Sequence, residues 1–185
     1  AGIPAEINLS GLCACEDLLC AVFLHRQEKA ADLLRELSSG IFTYCPDRDG
    51  ELVLVYRVRK EKSLDPMHPE AGNQVIAKFF HPFEEHFPGE CGKGLNFFFS
   101  DELEFRIRGN LWNDFFAEEF QRRKGYDIRP VLYQLFRQAD QGFIKTRLDY
   151  YDVIVQLEEE NYFQKVYRWH EERGMVYGCD HGGRG

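Results

Sequence analysis

Apolar positions recur at helical spacing in four parts of the chain. Between residues 70 and 87 they are three or four positions apart, at Val75, Ile76, Phe79, Phe80 and Phe83. Similar stripes predict further helices over 111–124, 128–137 and 142–172. Pro82 lies inside the first stripe and predicts a kink or break near its middle. Gly125 and Gly174 follow the last residues of two stripes, where a glycine commonly ends a helix.

Shorter apolar runs predict strands. The run at 52–59 is rich in β-branched residues and follows the turn residues 47–50, so it predicts a strand. The runs at 95–99 and 175–179 have strand length as well. The first forty residues are ambiguous, because an apolar stretch at 18–24 is followed by leucines within 29–37 that could face one side of a short helix.

Strands separated by helical segments predict a parallel sheet built of βα units. We therefore expect an α/β fold, a partial (β/α)8 TIM-barrel-like parallel sheet with flanking helices, preceded by a short β-containing segment. The expected division is an N-terminal segment over 1–40, the end of a preceding β-rich domain, and a barrel-like segment over 41–185. A complete barrel takes about 250 residues, so the second segment is expected to hold only part of one.

Composition limits the partners. The chain has 185 residues, 44% of them apolar and 15% aromatic, which is enough to bury a core. Its formal net charge of −8 disfavours binding to nucleic acid and to anionic membrane surfaces. No apolar run approaches the roughly 18 to 20 residues that span a bilayer, and the start of the chain lacks an export signal. We therefore expect a soluble, cytoplasmic protein.

Six cysteines are scattered along the chain, at 13, 15, 20, 45, 91 and 179. A chain of this size, with this many core residues, does not need disulfides, and reduced thiols are the preferred interpretation. The first three are clustered, but no second pair of ligands follows at zinc-finger spacing, so a structural zinc site is disfavoured.

Three carboxylates follow the phenylalanine-rich run at 95–99, namely Asp101, Glu102 and Glu104. In parallel α/β folds the active site lies at the carboxyl ends of the strands. An apolar wall at that position can raise the pKa of a carboxyl, so that it stays protonated and acts as a general acid. The alternative is a solvated acidic loop before the next helix, since Asp and Glu favour helix starts.

Several motifs then follow in order. Residues 101–104 read D-E-L-E, 110–113 read N-L-W-N, 119–127 read E-F-Q-R-R-K-G-Y-D and 147–150 read R-L-D-Y, while 64–71 read L-D-P-M-H-P-E-A upstream. In their order and spacing, the motifs within residues 41–181 resemble the α-L-rhamnosidase-type enzymes of glycoside hydrolase family 106. The G-Y-D and R-x-D-Y motifs are the most specific parts of the resemblance.

The resemblance implies inverting, calcium-assisted hydrolysis of a terminal α-L-rhamnoside or a similar deoxy-sugar. It assigns Glu104 as the general acid and Asp101 as the acidic residue three positions before it; it places no metal ligand. Inversion needs a second carboxylate about 6.5–9.5 Å away to activate water. Asp101 shares a strand end with Glu104, so the second carboxylate is expected outside this chain. The chain alone is then expected to be inactive and to self-associate through exposed barrel edges.

Five further residues are candidate substrate ligands: Glu102, Trp112, Arg147, Asp149 and His181. Arg147 and Asp149 would contact sugar hydroxyls, although such a pair is as often structural. Trp112 is either a stacking platform for a sugar ring or a core residue. His181 either lines the pocket or belongs to an exposed tail. The alternative function is a non-catalytic carbohydrate-binding or protein-interaction domain on the same scaffold.

Overall fold

The computed structural model describes residues 4–8, 14–26, 28–38, 42–59, 64–100, 110–137 and 141–180. The chain divides into two compact units. The first unit comprises residues 1–60 and 116–151, and the second unit comprises residues 61–115 and 152–185. No helix in the described ranges is both long enough and apolar enough to cross a membrane.

Antiparallel strands form the sheets of the first unit. A three-stranded sheet has the order β3-β2-β5, with β2 (Leu18–His25), β3 (Glu28–Asp32) and β5 (Glu51–Tyr56). Arg26, in the short connection between β2 and β3, has a positive φ of 51°, a conformation that suits tight hairpin turns. A separate antiparallel pair consists of β1 (Ala5–Ile7) and β4 (Phe42–Tyr44).

The central strand β2 is covered on both faces. On one face Ala21 and Phe23 pack in a buried cluster with Leu33 and Leu37, which lie in and next to α1 (Leu34–Leu37). On the other face Cys20 is buried next to the backbone of a 3-10 helix, Arg129–Phe136. Burial raises the pKa of the Cys20 thiol to about 11, so this cysteine behaves as an apolar core residue.

The rest of the first unit is helical. α4 (Phe116–Lys124) ends at Gly125, whose N–H donates to the Gln121 carbonyl at 2.8 Å and whose φ is 78°. α5 (Gln141–Glu158) begins in this unit. The rings of Phe116 and Tyr150, both fully buried, meet edge to face at 5.3 Å.

Two π-helical turns occur within the described helices of the second unit. The first turn, Ile76–Phe80, lies between α2 (Ala71–Val75) and α3 (His81–His86). It ends at Phe80, two residues before Pro82, whose nitrogen has no proton to donate and whose ring crowds the carbonyl four residues back. The break that Pro82 predicts therefore takes the form of a widened turn. The second, Glu159–Phe163, lies between α5 and α6 (Gln164–Glu171).

Two short strands of the second unit are parallel neighbours. β6 (Phe97–Ser100) pairs with β7 (Val176–Cys179), so that Phe97 lies opposite Val176 and Ser100 lies opposite Cys179. One face of the pair packs on the helices, where Phe98 and Tyr177 contact a buried cluster that includes Phe80 and Trp169. Parallel strands need a long connection, and the chain passes through α4, α5 and α6 between β6 and β7.

The predicted TIM-barrel-like parallel sheet is wrong. The fold is mixed α/β, with small antiparallel sheets and, in the described part of the chain, one short parallel pair. The error concerns the partner of the strand at 52–59, the first strand of the expected barrel: β5 pairs antiparallel with β2, which belongs to the preceding segment. Neighbouring strands of a barrel are parallel and joined by long crossovers, and among the described strands only β6 and β7 are paired in parallel.

Most of the individual elements were predicted correctly. Helical structure occurs within 70–87, 128–137 and 142–172, and strands occur within 52–59, 95–99 and 175–179. The helix predicted over 111–124 begins only at Phe116, and the helix predicted within 29–37 is reduced to its last four residues, Leu34–Leu37. The domain boundary near residue 40 stays a prediction.

Candidate functional site

The predicted acids follow the carboxyl end of the parallel pair. Asp101, Glu102, Glu104 and His181 themselves lie outside the described residues. Ser100, the residue before Asp101, lies opposite Cys179, and the N–H of Asp180 donates to the Ser100 carbonyl at 3.0 Å. Both strands therefore end at one edge, which we call the β6–β7 edge and define by Ser100, Cys179 and Asp180. In parallel sheets, ligands bind at such edges.

A chain of hydroxyl groups fixes this edge. The Tyr177 hydroxyl donates to Ser100 Oγ at 2.9 Å, and the buried Tyr162 hydroxyl hydrogen-bonds Tyr177. Burial, together with the bond to Tyr177, raises the pKa of Tyr162, so this phenol keeps its proton and serves as a donor. The hydroxyl chain, Tyr162–Tyr177–Ser100, thus ties the end of β6 to the helix bundle below it.

A buried histidine lies beneath the sheet among aromatic rings. His170 is 1% exposed, and its ring is 4.7 Å from Phe80 and 5.0 Å from Tyr177 between centroids. His170 Nδ1 lies 2.7 Å from the Val166 carbonyl, which only accepts, so Nδ1 carries the proton. Nε2 has no hydrogen-bond partner among the described residues. Burial lowers the pKa of His170, which is therefore neutral.

Two carboxylates of the second unit, Asp65 and Glu158, interact although they are far apart in the sequence. Glu158 is half-buried, and burial together with the charge of Asp65 raises the pKa of its carboxyl. Asp65 Oδ2 accepts from Asn113 Nδ2 at 2.8 Å, and Oδ1 accepts from the Met67 N–H at 3.0 Å. A carboxyl with a raised pKa beside a second carboxylate can hold a proton, which is an arrangement found at functional sites.

The sequence offered only a partial hint of this pair. Asp65 belongs to the upstream L-D-P-M-H-P motif, whereas Glu158 begins an ordinary run of three acids at 158–160. The two residues are far apart in sequence, and their proximity follows from the packing of the 64–70 loop on the end of α5. Asn161 Nδ2 donates to the Met67 carbonyl at 2.7 Å and holds that loop in place.

The two most specific motifs contact each other in the first unit. Tyr126, of the G-Y-D motif, donates its hydroxyl proton to Asp149 Oδ2, of the R-x-D-Y motif, at 2.9 Å. Asp149 also pairs with Lys145 and, at 3.6 Å, with Lys124. Burial acts to raise the pKa of Asp149, but the hydrogen bonds from Lys145 and Tyr126 outweigh it and lower that pKa. Asp149 is therefore an ionised acceptor within the fold.

Arg147 and Trp112, the other two predicted sugar ligands that the structure describes, lie in different parts of the chain. Arg147, half-buried in α5, donates to the backbone carbonyl of Arg137. Trp112 is half-buried and precedes α4, so it does not lie on that helix with Phe116 and Phe120 as the periodicity predicted. Both residues have structural contacts, and their roles as sugar ligands stay predictions.

The described residues contain no group of three or more His, Cys, Asp or Glu side chains that could hold a metal ion. The calcium that the resemblance implies stays a prediction. Comparison with known proteins adds no assignment: no protein-family model matches the chain, and no curated protein sequence matches it.

Proposed function

We propose that this chain carries the proton donor of a glycoside hydrolase that cleaves a terminal α-L-rhamnoside, or a similar deoxy-sugar, with inversion. Glu104 is the donor, and Asp101 orients it or binds a sugar hydroxyl. The observation that carries the proposal is the β6–β7 edge, because β6 ends one residue before Asp101 and is in register with a parallel neighbour. The sugar class rests on the order of motifs in the sequence.

Two features of the second unit favour a general acid at this position. The hydroxyl chain restrains Ser100, so the backbone leading into Asp101 starts from a fixed point. Beneath β6, Phe98 packs on Phe80 at 5.0 Å and on His170 at 5.6 Å between ring centroids. This apolar layer beneath β6 lowers the local dielectric constant, which favours the protonated form of a nearby carboxyl.

The proposed reaction consumes one water. The Glu104 carboxyl gives its proton to the glycosidic oxygen as the bond from that oxygen to the anomeric carbon breaks. Water attacks the anomeric carbon from the opposite face, and a second carboxylate from outside residues 1–185 takes the proton that the water releases. Without that carboxylate, the chain protonates the leaving group but does not activate water.

Azide tests whether Glu104 donates its proton without a general base in this chain, because an anionic nucleophile needs no general base. With an aryl α-L-rhamnoside as substrate, residues 1–185 should release the phenol only when azide is added, and the sugar product should be the inverted β-L-rhamnosyl azide. Glu104→Gln should reduce this azide-dependent rate by about 10²–10⁴-fold, which is the usual contribution of a general acid. Glu85→Gln, an exposed carboxyl on α3, is the matched control and should leave the rate unchanged.

An azide-dependent rate that survives in Glu104→Gln would remove Glu104 from the mechanism. Saturable sugar binding without any azide-dependent release would instead favour a non-catalytic carbohydrate-binding domain.

A cytoplasmic location is part of the same proposal, and it rests on the scattered cysteines of the sequence, which fit reduced thiols better than a disulfide framework.

A further inference from the structure

The long helix α5 is apolar on two faces. Its inner face carries buried side chains such as Tyr150, Val153 and Leu157. Its outer face carries four large apolar side chains that are 49%, 67%, 55% and 58% exposed, namely Ile144, Leu148, Tyr151 and Val155. A helix that is apolar all round is normally covered all round. An exposed apolar surface of this kind marks a site where another molecule packs.

The four exposed side chains form one stripe, which we call the α5 stripe. They follow one another at intervals of four, three and four residues along a single helix. Alternating intervals of three and four residues average 3.5, which is the repeat of a coiled-coil seam. In such a seam, each apolar side chain inserts between side chains of a second helix. The spacing therefore indicates that the partner of the α5 stripe is a helix.

The α5 stripe is also symmetric about its midpoint. Ile144 and Val155 are equally far from that midpoint, and so are Leu148 and Tyr151. If two copies of α5 lie antiparallel, Ile144 of one copy is level with Val155 of the other, and Leu148 is level with Tyr151. Every position of the stripe then lies opposite an apolar side chain. A two-fold axis through the midpoint relates the two copies, which is the commonest symmetry of protein dimers.

The charged side chains beside the α5 stripe fit an antiparallel copy. Lys145 and Asp152 are exposed and seven residues apart, so they lie on the same side of the stripe. In an antiparallel pair this side of one helix faces the same side of the other, and Lys145 of each copy lies opposite Asp152 of its partner. A parallel pair would instead use the other side of the stripe, where Arg147 and Ile154 are half-buried and buried in their own chain.

We propose that the α5 stripe joins two copies of this chain into a two-fold dimer in which the α5 helices are antiparallel. The proposal does not depend on the hydrolase activity proposed above. The 18 residues of α5 give a contact about 27 Å long and about 10 Å wide, which is smaller than the about 800 Å² per partner of a stable interface. We therefore expect the dimer to exchange reversibly with the monomer at micromolar concentrations.

Sedimentation equilibrium of the full chain tests the dimer. Over a wide range of micromolar concentrations, the average mass of the wild type should rise from 21.7 kDa towards twice that value. Leu148→Glu places a charge in the middle of the seam and should raise the Kd of the dimer by about tenfold, the equivalent of about 1.4 kcal/mol. Because Leu148 is exposed, circular dichroism should show an unchanged fold. Tyr167→Glu, at an exposed position of α6, is the matched control and should leave Kd unchanged.

Charge exchange tests the antiparallel orientation. Asp152→Lys and Lys145→Glu each bring like charges together across the contact, so each variant alone should dimerise more weakly than the wild type. An equimolar mixture of the two variants should recover the dimer, because both pairs across the contact then have opposite charges. Lys145 also pairs with Asp149 in its own chain, so circular dichroism must show that Lys145→Glu is folded. Leu148→Glu and Asp152→Lys leave that pair intact and test the dimer without it.

Two results would overturn the proposal. One is a wild type that stays monomeric at every concentration, which would leave the α5 stripe to a helix of a different protein. The other is a dimer that Leu148→Glu weakens no more than Tyr167→Glu does. A mixture of the two charge variants that recovers no dimer would overturn the antiparallel arrangement. Azide-dependent release of phenol judges the hydrolase proposal separately, whatever the oligomeric state.

Discussion

Replacing Tyr177 by phenylalanine removes one oxygen atom from the hydroxyl chain below the β6–β7 edge. The variant loses the bond donated to Ser100 Oγ at 2.9 Å, a net loss of about 0.5–1.5 kcal/mol. It also removes the partner of the Tyr162 hydroxyl, which is buried, and an unsatisfied buried donor costs about 1–3 kcal/mol. Because Tyr162 also interacts with Cys179, we expect the lower part of the combined range, a loss of about 2 kcal/mol.

Urea unfolding followed by circular dichroism measures this loss. Tyr167→Phe changes an exposed tyrosine of α6 and is the matched control, with an expected change within about 0.5 kcal/mol. Tyr162→Phe removes the hydroxyl that loses its Tyr177 partner in Tyr177→Phe, so the double variant should be less destabilised than the sum of the single ones. If Tyr177→Phe unfolds like the control, or if the two changes simply add, the hydroxyl chain does not hold the edge together.

Three further predictions concern the second unit. Burial and the charge of Asp65 raise the pKa of Glu158 above its usual 4.5. The stabilisation from the protonated Glu158 carboxyl is therefore fully present below pH 4.5 and is lost as pH rises through the folded-state pKa. Glu158→Gln should therefore raise the free energy of unfolding at pH 7 but not at pH 4, in urea titrations at both. Burial lowers the pKa of His170 below 6.5, so the stabilisation from its neutral form is present above pH 6.5 and is lost as pH falls through the folded-state pKa. His170→Gln should therefore lose less free energy of unfolding than the wild type between pH 7 and pH 5. An equally steep loss in the variant would count against this assignment. Gly72→Ala would place a Cβ 2.7 Å from Lys165 Cβ and 3.0 Å from the carbonyl oxygens of Asn161 and Tyr162. This crowding should lower the free energy of unfolding by about 1–3 kcal/mol, despite the better helix propensity of alanine. Gln74→Ala, at an exposed position of the same helix, should leave it unchanged in the same urea titration.

Local pattern identified many of the elements but not their pairing. The stripe from Val75 to Phe83 and the run before Ser100 each have one dominant period, so helix and strand were predicted there. β2 gives no alternation, because Cys20–Leu24 are buried on both faces. β3, Glu28–Asp32, has the composition of a helix and becomes a strand only by pairing with β2, which is tertiary context overriding propensity.

The candidate site likewise combines local features, which the sequence predicts, with contacts between distant residues, which it does not. The end of β6 could be predicted from sequence, because a strand end is a local feature; the role of the carboxylates that follow it stays a prediction. The Asp65–Glu158 interaction could not, since it joins residues that only the folded chain brings together. For Asp149 the motif predicts a sugar ligand, and the structure adds contacts with Tyr126, Lys124 and Lys145; its role as a sugar ligand stays a prediction. A motif does not distinguish a carboxylate that binds substrate from one that holds the fold together.

The central proposal, that Glu104 protonates the leaving group, is tested most directly by varying that group. Azide-dependent rates would be measured for phenyl and dinitrophenyl α-L-rhamnosides with the wild type and with Glu104→Gln. Phenoxide is a poor leaving group and needs the proton, whereas dinitrophenoxide leaves without it. We predict that Glu104→Gln slows the phenyl substrate by about 10²–10⁴-fold and the dinitrophenyl substrate far less. Equal slowing of both substrates, or of neither, would contradict proton donation by Glu104.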